Sequence, residues 1–158
     1  MIEVMFDSGI DAGDAPNEAM VRHAVAAACM QAGISRQVTL CVRFADDAAI
    51  QQLNSQWRNK DAPTDVLSFP MQEGPDYELD ESLGDIILSW PFVLREAARL
   101  SLSPQQHAQH LIVHGMFHLM GFVHGEDIDA ERMQAMESRA MRQLGLHNPY
   151  AQSGEDHV

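Results

Sequence analysis

Four of the chain's eight histidines lie between residues 110 and 124, in HLIVHGMFHLMGFVHGED. On a helix, residues three or four apart share a face, so His107, His110, His114 and His118 would form one stripe. His114 and His118 place two imidazoles one turn apart, where a single cation can bridge them. Gly121 lets the chain leave the helix in a left-handed turn, and three residues later His124 can fold back over the pair. The pattern H-x-x-x-H-x-x-G-x-x-H thus describes three imidazoles on one metal with a fourth position open. Catalytic zinc sites are built this way, whereas structural ones normally have four protein ligands. His107 and His110 need only a hydrogen-bond partner and read as structural, with His110 available to support a ligand.

The same spacing is the ligand frame of metzincin zinc proteases, where a glutamate follows the first histidine and acts as general base. Here that position is Gly115. Zinc lowers the pKa of its water to about 7 and neutralises a phosphoryl oxygen without help from a carboxylate. Phosphodiester hydrolysis therefore suits these residues better than amide hydrolysis, and metallopeptidase or amidase chemistry is the alternative use of the three histidines. Phosphoryl transfer also calls for a cation beside the metal. Arg58, in LNSQWRNKDAPTDVLSFP, is the candidate, although spacing alone does not separate that role from a surface ion pair with Asp61 or Asp65.

Short strands and helices must position these groups. Ile2, Val4 and Phe6 alternate in MIEVMF, a half-buried first strand. GDAPNEAMVRHAVAAACMQAGI reads as a helix with Asp14 as its cap, Pro16 in its first turn and Gly33 past its end. QVTLCVRF alternates Val38, Leu40, Val42 and Phe44 with more polar residues, a second strand. Asp46 caps a helix with Ile50, Leu53 and Trp57 at helical spacing, ending near Arg58. DVLSF, closed by Pro70, is the third strand and GDIILSW the fourth, with a loop or hairpin arm between them. Ser89 and Pro91 start another helix. Ser103, Pro104 and Gln106 give the histidine helix a capping box, and a last helix runs from about Asp127 to Leu144 before Gly145.

At 158 residues, 46% hydrophobic and 21% charged, the chain has the composition of one globular domain. Residues 1–150 are expected to form it, with AQSGEDHV at 151–158 as a flexible tail. There is no basic leader before an apolar run and no apolar stretch of eighteen residues, so a cytoplasmic protein with no membrane partner is expected. Cys29 and Cys41 read as unpaired small core residues. A net charge of −13 argues against broad wrapping of nucleic acid. Arg36, Arg43, Arg58 and Lys60 still leave room for a local basic patch.

LNSQWRNKDAPTDVLSFP, LGDIILS, HGMFHLMGFVH and LGLHNPY, in this order from about residue 50 to residue 150, together resemble the YbeY family of metal-dependent endoribonucleases, also described as ribosomal RNA maturation factors. The resemblance implies an α/β (α+β) domain with a small mixed sheet and a metal cleft of zincin-like architecture. It implies one Zn2+ per chain on His114, His118 and His124, and a functional arginine at Arg58. Thr64, Asp65, Ser68 and Asp85 match further family positions and would support the cleft. The family commonly has Asp before the third histidine, where this chain has Val123, with Glu126 and Asp127 nearby. After the arginine it often has Gly, where this chain has Asn59, a residue that also tolerates a left-handed backbone.

The reading that follows is a zinc-dependent, single-strand-specific endoribonuclease that matures the 3′ end of small-subunit ribosomal RNA and takes part in ribosome quality control. Arg58 and His114 would be catalytic, and Arg58, Lys60 and Arg43 would bind single-stranded RNA. The acidic chain predicts weak binding to free RNA, so the small ribosomal subunit or ribosomal proteins would present the substrate. A ribosome-associated binding factor with a structural zinc is a further alternative.

Overall fold

Alternating apolar residues build the sheet. In the computed structural model, which describes residues 1–11, 13, 15–72, 77–78, 80–121 and 127–150, four strands lie in the order β1-β2-β4-β3. They are β1 (Ile2–Phe6), β2 (Thr39–Ala45), β3 (Val66–Pro70) and β4 (Ser82–Ser89). β1, β2 and β4 run parallel, and β3 pairs antiparallel with β4 at the edge, which gives the mixed sheet expected. Five helices accompany it: α1 (Glu18–Gln31), α2 (Asp47–Arg58), α3 (Trp90–Leu100), α4 (Pro104–Leu119) and α5 (Asp127–Gln143). Among the described residues no helix is long and apolar enough to cross a membrane.

The pleat of β2 sends Val42 and Phe44 to one face and Cys41 and Arg43 to the other. The first face, with Ile86 and Leu88, joins Ile112, Met116, Met133 and Met141 of α4 and α5 in the main core. Each fully buried side chain of this size contributes about 1.5–3 kcal/mol, so this layer dominates stability. The opposite face carries α2 over a smaller cluster of Ala45, Ile50, Leu67 and Ile87, flanked by Ala49, Leu53 and Phe69. α4 and α2 therefore lie on opposite faces of the sheet, with the edge strand β3 beneath both.

Local chemistry sets most helix starts as expected. Asp46 accepts from the Ala49 amide at 2.8 Å. Ser103 Oγ accepts from the Gln106 amide at 3.1 Å while Gln106 Oε1 accepts from the Ser103 amide at 3.0 Å, closing the capping box. Three expectations change. The α1 cap is Asn17, whose side chain accepts from the Met20 amide at 2.9 Å, so Pro16 precedes the cap; Asp14 lies outside the described residues. Cys29 is buried, which pushes its thiol up to about 11, but Cys41 is only half-buried on the α2 side, its Sγ 3.6 Å from Met5 Sδ. Trp57, expected on the packed side of α2, is 64% exposed, because the cluster under the helix ends at Leu53 and Phe69.

Candidate active site

α4 reaches the sheet closely because it carries Gly115. A Cβ at that position would stand 3.0 Å from Ile86 Cγ2 and 3.1 Å from Ser68 Oγ. The Ser68 hydroxyl donates to the Gly115 carbonyl at 3.4 Å. One turn further on, Leu119 packs over Gly84, where the Phe69 carbonyl leaves no space for a side chain. The missing peptidase glutamate thus has a physical reason: position 115 faces β3 and β4. Gly115→Glu is expected to destabilise the fold by about 3 kcal/mol or more, since overpacking costs about 1–3 kcal/mol and a buried carboxylate adds to it. A lowered urea midpoint would show this. Gly115→Ala should cost less, because helix propensity returns about 1 kcal/mol.

The histidine stripe meets α5 through His110 and His114, which both reach Glu137. His114 Nε2 and His118 Nε2 stand 3.0 Å apart. Two nitrogens on one tetrahedral zinc stand about 3.3 Å apart, from Zn–N bonds of about 2.0–2.1 Å. The other ring nitrogen of His114, Nδ1, donates to Glu137 Oε2 at 3.1 Å. That bond fixes the tautomer and leaves Nε2 as the electron-pair donor toward His118. His110 Nε2 donates to Glu137 Oε1 at 2.9 Å, and the Tyr150 hydroxyl donates to the same oxygen at 2.8 Å.

Glu137 is fully buried. Burial pushes its carboxyl up, but the hydrogen bonds and charges of His110 and His114 outweigh it and hold the group down to about 2. Glu137 and Tyr150 were not among the site residues expected. The signal was present for Glu137, a carboxylate set among Met133, Met136, Ala140 and Met141 on the buried side of α5. His107 and His147 lie farther along, their ring centroids 6.4 and 6.3 Å from that of His110. Their ring nitrogens are buried without a hydrogen-bond partner among the described residues, and burial, then His110, lowers the pKa of both.

His124 lies outside the described residues, as do Val123 and Glu126. Among the described residues no group of three His, Cys, Asp or Glu side chains could hold a metal ion. His114 and His118 nevertheless fit one, with converging nitrogens and a carboxylate behind the first. Helix α4 ends with Met120 as its C-cap, and Gly121 follows at φ 89°, the left-handed exit that the spacing anticipated.

Arg58 ends α2, exposed, and makes no ion pair with a described residue. Asp61 instead accepts from Gln51 Nε2 at 3.0 Å and Asp65 from the Val66 amide at 2.7 Å, which removes the surface-pair account of Arg58. Asn59 takes the left-handed conformation at φ 57° and turns the chain so that exposed Lys60 follows. Arg43 is not brought to the histidines. It lies on the sheet face opposite α4, with β4 between it and β3, and its guanidinium donates to Asp7 at 2.9 Å (Nε) and 2.7 Å (Nη2). Asp85 is on that same face, where burial, then Glu3, pushes its carboxyl up.

Known proteins are similar to this chain in sequence and in fold. The family model for Endoribonuclease YbeY matches residues 7–145. Endoribonuclease YbeY of Azorhizobium caulinodans is 39% identical over 142 residues, covering 90% of this chain and 89% of that protein. Endoribonuclease YbeY of Chromobacterium violaceum is 38% identical over 157 residues, covering 99% and 90%. The solution structure of TM1509 from Thermotoga maritima superposes with a TM-score of 0.55 at 20% identity, covering 96% of this chain and all of that one, a likeness of fold. With a family match over most of its length and relatives this similar, the chain belongs to the endoribonuclease YbeY family.

Proposed function

We propose that this protein is a zinc-dependent endoribonuclease that cuts single-stranded RNA during maturation of the small-subunit ribosomal RNA 3′ end, in the cytoplasm, with a part in ribosome quality control. The observation that carries the metal is the 3.0 Å approach of His114 Nε2 to His118 Nε2, with Glu137 on the far side of His114. His124 is the third ligand in this reading. When bound, zinc supplies Lewis acidity, lowering the pKa of a water to about 7 and neutralising phosphoryl charge.

The protein's own groups do the rest. Glu137 keeps the His114 ring in one orientation. In this reading the RNA crosses edge strand β3, which packs against α4 on one face and α2 on the other, to reach the histidines and the end of α2. There Arg58 stabilises the charge that develops on the phosphoryl oxygens, and Lys60 holds a neighbouring phosphate. Arg43 is paired with Asp7, so it would hold a phosphate only by sharing its guanidinium with that carboxylate. The ribosomal particle presents the RNA, since a chain of net charge −13 attracts free RNA weakly.

The test is cleavage of a single-stranded ribosomal RNA precursor fragment by zinc-loaded wild type and Arg58→Ala, alone and with small ribosomal subunits. Arg58→Ala should cut roughly 10²–10³-fold more slowly with its melting temperature unchanged, the usual cost of losing one charge-stabilising donor. Equal cutting by both proteins would remove Arg58 from the mechanism. A 2′,3′-cyclic phosphate end on the product would identify the ribose hydroxyl as nucleophile.

A further inference from the structure

Trp57 is the one large aromatic residue among the described residues that is mostly exposed, at 64%, against 36% for Phe6 and 2% for Trp90. It continues the packed register of α2, one turn beyond Leu53, but the apolar cluster beneath the helix has ended there. Nothing in the core accounts for an indole at that position. Its chain neighbours are Arg58 and, across the left-handed turn at Asn59, Lys60. Both cations are exposed, and neither is paired with a described residue. Arg22, Arg43, Arg95 and Arg99 each have a carboxylate partner, while exposed Arg36, Arg132 and Arg142 form no ion pair with a described residue either but have no mostly exposed aromatic residue as a chain neighbour.

In a chain of net charge −13, two unpaired cations beside an exposed indole form a local exception. Unpaired cations attract phosphates, and an indole face accepts any nucleobase, because every base has a π-face. A buried base, or a base in a duplex, could not use such a platform. The occupant favoured by this combination is an unpaired stretch of nucleic acid, with phosphates on the cations and a base on the ring.

We propose that Trp57 is a stacking platform for an unpaired base of the RNA, with Arg58 and Lys60 on the flanking phosphates. The inference rests on the RNA-cleaving reading above and adds to it the means by which single strands are selected. It makes Trp57 a substrate-binding residue with little sequence preference, since stacking does not read base edges.

Fluorescence tests it directly, because the chain has only two tryptophans and Trp90 is buried. The zinc-loaded protein is mixed with an eight-nucleotide single-stranded RNA, or with an abasic ribose-phosphate chain of equal length, and emission is read within seconds. The RNA should quench the exposed indole and the abasic chain should not. Titration calorimetry reads the affinities of the variants and of the abasic chain: Trp57→Ala should weaken RNA binding roughly 5- to 100-fold while changing abasic binding less than twofold, and Trp57→Phe should recover most of the loss. Arg58→Ala should weaken both ligands.

Binding of RNA that depends on Arg58 but leaves the emission of Trp57 unchanged would overturn the stacking platform and leave the RNA reading intact. Failure of wild type to bind either ligand even at about 1 mM, where the weak binding expected of so acidic a chain still registers, would remove both. Quenching by purified ribosomal proteins and not by RNA would make Trp57 a protein contact, which also overturns the proposal.

Discussion

A Glu137→Gln protein is expected to bind zinc roughly ten- to a hundredfold more weakly than wild type, the range usual when the partner of a metal-ligating imidazole is lost. The reason lies in the geometry of its carboxylate, which takes His114 Nδ1 on one oxygen and His110 Nε2 with the Tyr150 hydroxyl on the other. A glutamine amide has one acceptor oxygen and one donor nitrogen, so either His114 or the His110 and Tyr150 pair would face a donor. Glu137→Ala removes the carboxylate altogether and leaves two imidazoles and a phenol without it, for a stability loss of about 3–5 kcal/mol. Tyr150→Phe removes one donor of three and should cost about 1 kcal/mol. Competition with a chromophoric chelator reads the zinc affinity, and denaturant melts of the metal-free proteins read the stability. Unchanged zinc affinity in Glu137→Gln, with a normal melt, would mean that the carboxylate does not orient His114.

Caps and alternation were legible because they are local. Asp46, Ser89 and Ser103 each satisfy an amide three residues ahead, and the pleat of β2 sorts Val42 and Phe44 from Cys41 and Arg43 without reference to any other segment. Even so, the start of α1 was misplaced, because Asp14 was expected to cap it and Asn17, three residues later, does so. What was not legible depends on distance along the chain. The Arg43 and Asp7 pair spans 36 positions, and nothing near Arg43 announces it. Trp57 has the spacing of a packed residue, but whether it packs depends on how far the sheet extends under α2. Glu137 stands out among the apolar residues of α5, but its partners, His110 and His114, become visible only when α5 lies against α4. The histidine pair was read from spacing because an i, i+4 relation on a capped helix is itself local.

His118→Ala is expected to cut RNA roughly a thousandfold or more slowly, because the proposed zinc site would lose one of the two nitrogens that converge at 3.0 Å. The same variant separates an enzyme from a binding factor with a structural zinc. Helix α4 is held by its capping box and by the burial of Ile112, Val113, Met116 and Phe117, and none of these depends on an imidazole at 118. The metal-free variant should therefore melt within a few degrees of metal-free wild type. Zinc at a thousand times its dissociation constant should stabilise wild type by about 4 kcal/mol, and it should not raise the variant's melting temperature. An enzyme loses cleavage in this variant while its ribosome binding persists. A binding factor with structural zinc loses ribosome binding and the order of the segment after His118 together, in the variant and in chelated wild type alike. Zinc titrations followed by calorimetry, beside cosedimentation with small ribosomal subunits, distinguish the two. Catalytic use of the metal requires that binding to the ribosome survive its removal.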